Sequence, residues 1–276
     1  MSDMVDFHIH TDRYGGDLSA KDIFEEIQKK PISIFSITDH EEITELPKSL
    51  NEMSIQPLYI KGIEFTCTPN DIHMLGYFPQ YVSEEVKNLI ERIKSRRIME
   101  LVLSIRLLKK AGILVSANDI IKKYHSISYL DINKYIVSLG LADNVNQAIE
   151  RFFLKGKIAY FSRWYPGVKD TIHAIKRSKG IAILAHPLRD NRYKDIEICI
   201  KNGIDGLEVY HPVHNGTHIK RLLLICKEKN LLVSGGSDYH YIIDKLGYYA
   251  NGKKIVRSLV NCFVERLINE KNNLNE

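Results

Sequence analysis

Short apolar runs recur along the chain at 5–9 (VDFHI), 32–38 (ISIFSIT), 58–66 (LYIKGIEFT) and 72–78 (IHMLGYF), and again at 180–187 (GIAILAHP), 206–211 (GLEVYH) and 231–240 (LLVSGGSDYH). In the first, Val5, Phe7 and Ile9 alternate with Asp6, His8 and His10, the period-2 signature of a strand with two distinct faces. Between the runs the apolar spacing becomes helical. AKDIFEEIQKK follows Ser19 as N-cap with Asp22 at N3, and YKDIEICIKN stops at Gly203. THIKRLLLICKEKN ends in lysines, which suit the negative end of a helix dipole. Strands alternating with helices predict a parallel β/α construction.

From about 82 to 158 the pattern changes to helices without intervening strands. A long helix is expected from Ser83 as cap to Gly112 just past its end, followed by SANDIIKKYH, DINKYIVSLG and NVNQAIERFFLKG. The stretch is too long for a loop, so residues 81–158 are expected to form a helical insertion subdomain in a β/α domain made of 1–80 and 159–276. Its apolar faces pack either on one another or over a substrate pocket as a lid. The chain closes on KKIVRSLVNCFVERLINEKNN, a last amphipathic helix with a polar tail.

Composition changes this picture little. At 276 residues with 44% hydrophobic and 26% charged residues, the chain is expected to fold almost throughout and to bury a sizeable core. A net charge of +5 suits a phosphate-bearing substrate but is too small for a nucleic-acid stripe, so no stable nucleic-acid complex is expected. Cys67, Cys199, Cys226 and Cys262 have no C-x-x-C spacing and read as reduced thiols. Without a signal-like N-terminus or 18 consecutive apolar residues, the expected location is the cytoplasm, with no membrane partner.

The candidate chemistry is a matter of position. His8 and His10 end the first strand on one face, Thr38, Asp39 and His40 end the second, and Glu64 ends the third. His73 lies on the fourth, His186 ends the fifth, and Asp238 with His240 follow the last. Downstream strand ends of a parallel β/α barrel converge on one face, where such folds build active sites. Each residue has an ordinary role open to it: a core histidine, a turn cap, a surface carboxylate. Together they point to a metal cluster, and imidazole plus carboxylate without thiolate suits Zn, Mn or Fe. So many ligands exceed the needs of one ion, and close-set ions would acidify a water shared between them.

The motifs DFHIHTD, SITDHEE, GIEFT, IHMLGYF, ILAHP and GSDYH, in this order, resemble the polymerase and histidinol phosphatase (PHP) superfamily of metal-dependent phosphoesterases. The insertion after HMLGYF is most similar to the branch that hydrolyses nucleotides or short oligonucleotides. The resemblance implies a distorted seven-stranded (β/α) barrel carrying two or three divalent ions. It implies that His8, His10, Glu64 and Asp238 hold one ion, that Glu64 bridges to a second held by His73 and His186, and that a third takes His40 and His240, with Asp39 orienting an imidazole. Where the family has SDG after the first histidine pair, Tyr14, Gly15 and Gly16 stand here, so Asp17 or Asp12 would replace the missing carboxylate unless Asp17 serves only the start of a helix. Where that branch shows an Arg-x-His helix start, HSISYLDINKY stands.

Beyond the ligands, Arg189 and Arg192 past His186 are candidates to clamp a substrate oxygen, or are solvated loop arginines. His211 and His214 in VYHPVHN either protonate the leaving oxygen or line the pocket. The expected activity is hydrolysis of a phosphate ester of a small molecule, a nucleotide or a short oligonucleotide, with Glu64, Asp238 and His211 at its centre. The alternatives are a histidinol-phosphate phosphatase and a non-catalytic metal- or nucleic-acid-binding module.

Overall fold

A computed structural model describes residues 3–14, 16–47, 57–123, 129–160, 164–188, 192–241 and 243–272. Two compact units emerge, 1–89 with 166–276, and 90–165. The expected insertion, 81–158, is therefore displaced by seven to nine residues at each end.

The first unit is a mixed α/β fold. Strands β1 (Met4–Asp6), β2 (Ile32–Phe35) and β3 (Leu58–Tyr59) form a parallel sheet in that order. A five-stranded sheet runs β4 (Lys61–Cys67), β5 (Ile72–Phe78), β6 (Ile181–Leu184), β7 (Gly206–Tyr210), β8 (Leu232–Gly235). Its β6, β7 and β8 are parallel, but β4–β5 and β5–β6 are antiparallel, which corrects the all-parallel expectation. The reason is the short link at residues 68–71, with Asn70 and Asp71 at positive φ, which is too short for a crossover helix. The run 58–66 is also two strands: Ile60 still bonds to Phe35 O, and beyond it the chain pairs with β5.

Backbone bonds join the two sheets at both edges. Phe7 N–H donates to Gly235 O and His10 N–H to Tyr239 O, while Thr38 N–H reaches Ile9 O and Glu64 N–H reaches Asp39 O. The chain at 7–10 is thus threaded between the extensions of β8 and β2. Gly236 permits this approach, because a Cβ there would come within 2.2 Å of His8 Cβ. Helix α1 (Ala20–Gln28) starts on the expected Ser19–Asp22 capping box and buries Ile23, Phe24 and Ile27 against Met4, Ile32 and Phe35. Phe7, Tyr77 and Phe263 pack edge to face at 4.9–6.1 Å in the same unit.

In the second unit the long helix α2 (Glu84–Lys110), which begins in the first, is followed by α3 (Ala117–Lys123), α4 (Tyr129–Ser138) and α5 (Val145–Ala148). The last continues as a π-turn through Ile149–Phe153. Leu101, Leu108, Ile120, Ile132, Ile136 and Phe152 are buried together, so these helices have a core of their own. The first unit resumes with α6 (Val168–Arg177), α7 (Tyr193–Lys201), α8 (Gly216–Lys229) and α9 (Asn261–Asn272). Among the described residues no helix is long and apolar enough to cross a membrane.

Candidate metal centre

The centre is built on the chain extensions that join the sheets. His8 and His10 project from one face of the strand after β1, as their spacing predicts, and their Nε2 atoms stand 3.1 Å apart. Glu64 Oε2 lies 3.3 and 3.2 Å from these nitrogens, and Asp238 Oδ1 lies 3.4 and 3.3 Å from them. Donors about 2.1 Å from a tetrahedral ion are spaced by roughly 3.4 Å, so these four atoms already have the spacing of a coordination shell.

Glu64 sits in the middle of β4, not at its end, and faces two ways. Its Oε2 is also 3.4 Å from His40 Nδ1, while its Oε1 is 2.8 Å from His73 Nδ1 and 3.2 Å from His186 Nε2. His73 can join because β5 is antiparallel to β4 and starts where β4 ends, pairing His73 with Thr66. His240 stacks on His10 at 4.2 Å, and His10, His40 and His240 form a further group with converging nitrogens. His8, His10 and Glu64 are fully buried, whereas His40, His73, Asp238 and His240 are partly exposed, so the cluster opens to solvent on one side. His186 and Asp238 hold φ of 27° and 50°, left-handed backbone that non-glycine residues adopt at a cost of ~1–3 kcal/mol.

The charges are mutually dependent. Burial alone would raise the Glu64 carboxyl, yet His40, His8 and His73 hold it well below its usual range. Asp238 is likewise held low by His8 and His10 against its burial. Burial pulls His10 toward neutrality, but Asp238 and Glu64 outweigh it and raise the imidazole to about 9. His40 is pushed down to about 4 by burial, which outweighs Glu64, and burial also lowers His186 and His240. Such a donor set, imidazoles interleaved with ionised carboxylates and without a thiolate, fits divalent transition-metal ions.

The remaining candidates fall in different places. Asp39 receives Thr11 N–H at 2.7 Å, the Thr11 hydroxyl at 2.8 Å and the Thr44 hydroxyl, and stands 4.0 Å from His10 Nδ1. It braces the chain around His10 and, among the described residues, makes no hydrogen bond to an imidazole. Asp12 and Asp17 are exposed; the Asp17 amide donates to His240 O at 2.7 Å, but neither carboxylate joins the converging donor groups. Gly15 and Arg189 lie outside the described residues.

Arg192 lines a cavity of about 350 Å³ with His73, His186, Asp71 and Asp195. Its Nε is 3.3 Å from Asp195 Oδ2 and its Nη1 donates to Asn70 O. His211 Nδ1 accepts Val213 N–H, so the proton of the neutral ring sits on Nε2, 3.3 Å from Asp238 Oδ2. His214 instead donates from Nδ1 to Val209 O and supports the turn after β7.

Two buried carboxylates escaped the sequence reading. Glu208, in the middle of β7, lies 3.0 Å from His8 Nδ1 and accepts His186 N–H at 2.8 Å. Asp6 accepts Ser237 N–H, the Ser237 hydroxyl and Gly247 N–H at 2.7–2.9 Å, tying β1 to the segment that carries Asp238. A lone acid inside GLEVY, and Asp6 on the same strand face as His8, were the available signals.

No family model matches the chain. A 5'-3' exoribonuclease from Haemophilus influenzae is 26% identical over 253 residues, 87% of this chain and 91% of its own. A phosphoribosyl 1,2-cyclic phosphate 1,2-diphosphodiesterase from Eggerthella lenta is 21% identical over 246 residues, 85% and 93% of the two chains. A candidate metal-dependent phosphoesterase from Bifidobacterium adolescentis, 21% identical, has the same fold with a TM-score of 0.76 over 96% of this chain and 97% of that one. The two curated relatives are named for phosphodiester hydrolysis, the chemistry expected from the motifs. An amidohydrolase from Chromobacterium violaceum, solved with bound sulfate and no metal, shares the fold equally well, with a TM-score of 0.76 at 20% identity over 95% and 96% of the chains.

Proposed function

We propose that this chain is a metal-dependent phosphoesterase that hydrolyses nucleotides or short oligonucleotides. The observation that carries the reading is Glu64, one buried carboxylate with each oxygen facing a different set of imidazoles, His8, His10 and His40 on one side and His73 and His186 on the other. The relatives named as exoribonuclease and cyclic phosphodiesterase support a substrate with a phosphodiester or a nucleoside phosphate. In the same reading β1, β2 and β4 to β8 are the seven strands of a distorted barrel, and its mouth holds two or three ions of Zn, Mn or Fe.

His8, His10, Glu64 and Asp238 would hold one ion, Glu64, His73 and His186 a second, and His40 with His240 a third, with Asp17 as its carboxylate if the loop brings it in. Bound divalent ions supply positive charge that acidifies water near neutral pH and neutralises phosphate oxygens. The protein's own part is placement. Arg192, fixed by Asp195 and Asn70, offers a guanidinium to a substrate oxygen in the cavity beside His73 and His186. His211 turns an Nε2–H toward Asp238, where it can donate a hydrogen bond to a leaving oxygen.

The test is hydrolysis of a short 5'-phosphorylated oligoribonucleotide, nucleoside phosphates and p-nitrophenyl phosphate by manganese- or zinc-loaded protein and by chelated protein, with histidinol phosphate as the competing substrate. Turnover of the nucleotide substrates that is lost on chelation and restored by metal is expected. Metal-loaded protein inert toward all phosphate esters would overturn the proposal, and preference for histidinol phosphate would redirect it.

A further inference from the structure

Glu208 converges with His8 and His211, but it meets His8 at Nδ1, the nitrogen turned away from His10, Glu64 and Asp238, and its other oxygen meets His186. It is fully buried on β7. Oε1 lies 3.0 Å from His8 Nδ1, and Oε2 accepts the amide of His186 at 2.8 Å. Oε2 is an acceptor because its partner is a backbone N–H, and a carboxylate offers His8 Nδ1 an acceptor at Oε1 as well. An acceptor at Oε1 requires a proton on His8 Nδ1, which leaves the ring's other nitrogen, Nε2, as the one that faces His10, Glu64 and Asp238 with a lone pair. The second oxygen grips His186 at the residue whose φ of 27° is strained, and so holds the turn that points His186 Nε2 at Glu64 Oε1.

We propose that Glu208 is the positioning residue of the centre, selecting the Nδ1–H tautomer of His8 while it anchors the His186 backbone, and so setting metal affinity on both sides of Glu64. The inference rests on the metal centre proposed above. The same carboxylate makes both contacts as an acceptor, so a neutral amide of equal size, with one acceptor and one donor, cannot satisfy both. In Glu208→Gln, if the amide oxygen keeps the His186 N–H, the NH2 group faces His8 Nδ1 and drives the ring's proton onto Nε2. If the amide is turned over, NH2 meets the His186 N–H and that anchor is lost. Either arrangement costs the centre a ligand held in place.

Competition against a chromophoric chelator for zinc, followed by metal analysis of the desalted protein, reads this out without any substrate. Glu208→Gln is expected to bind at least one ion about 10- to 100-fold more weakly than wild type, the usual effect of removing a carboxylate behind a ligating histidine. Its metal-free Tm should fall as well, because the carboxylate also meets His8 without metal, and Glu208→Asp, which keeps the charge and one acceptor, should recover part of the affinity. A purely structural carboxylate would give a lower metal-free Tm with zinc affinity unchanged, and would overturn the inference. Should the variants fold poorly, nitrogen-15 NMR of histidine side chains in zinc-loaded wild type decides: His8 must carry its proton on Nδ1, and a ring ligating through Nδ1 would sink the proposal. Wild-type protein that takes up no zinc would overturn the centre itself, a result distinct from wild-type uptake matched by Glu208→Gln.

Discussion

Glu64, buried within the cluster, and Arg192, lining the cavity beside His73 and His186, have different work and should fail differently. Glu64 is the carboxylate shared by five imidazoles, so Glu64→Ala leaves those rings facing one another and removes a charge that no neighbour replaces. Turnover should fall by at least about 1000-fold, or ~4 kcal/mol, with far-UV circular dichroism unchanged. Asp238→Ala should behave alike, since its carboxylate spans His8, His10 and His211. Arg192→Ala instead should raise KM about 10- to 100-fold with kcat nearly kept, the signature of lost ground-state binding through a charged hydrogen bond. Unchanged KM would retire the clamp, and near-normal turnover in Glu64→Ala would retire the shared ligand. At this scale the sequence was informative about residue type and strand position, which is why the His, Glu and Asp set gathers in space. Glu208 and Asp6 stayed hidden because their role depends on partners some 200 and 230 residues away, at His8 and Ser237.

The elements explain which parts of that reading went astray. Periodicity located β1, β2, β5 and the helices α1, α7 and α8 within a few residues, because their apolar patterns and caps are local. Strand direction is not local. A hairpin at 68–71 turns β5 against β4, and only that reversal lets His73, near the start of its strand, sit beside Glu64 in the middle of another. The contact that closes β8 onto the strand after β1 is similarly invisible as a pattern, but it makes a sharp prediction. Gly236→Ala would push a methyl carbon into His8 Cβ and backbone N, so both the strand and the imidazole must shift. Overpacking of this kind costs ~1–3 kcal/mol. Gly236→Ala should therefore lower Tm and metal affinity together, whereas a variant with lowered Tm and wild-type zinc binding would show that His8 is not held by this contact.

At the scale of the whole molecule, the pH dependence of stability depends on whether protons or metal ions occupy the cluster. In chelated protein, His10 is raised from 6.5 to about 9 by Asp238 and Glu64 despite burial, and His8 is raised well above its usual value by Glu208, Asp238 and Glu64. A raised histidine binds its proton more tightly folded than unfolded, so its contribution is complete below pH 6.5 and is lost as pH climbs to 9. For His10 alone, at ~1.36 kcal/mol per pKa unit, that loss is about 3 kcal/mol. His40 works the other way: lowered to about 4 by burial, it is neutral when folded and gains a proton on unfolding, so stability drops as pH falls below 6.5. The two slopes meet, and the stability of chelated protein should peak near pH 6.5. Divalent ions take the nitrogens that protons held, so metal-loaded protein should lose the alkaline slope, and metal uptake at pH 7 should release protons. Scanning calorimetry from pH 5 to 9 with chelator and with zinc measures the first, and titration calorimetry in buffers of different ionisation enthalpy the second. A chelated protein whose Tm is flat between pH 6.5 and 9, or zinc uptake with no proton released, would mean that His8 and His10 do not share their nitrogens between the two occupants.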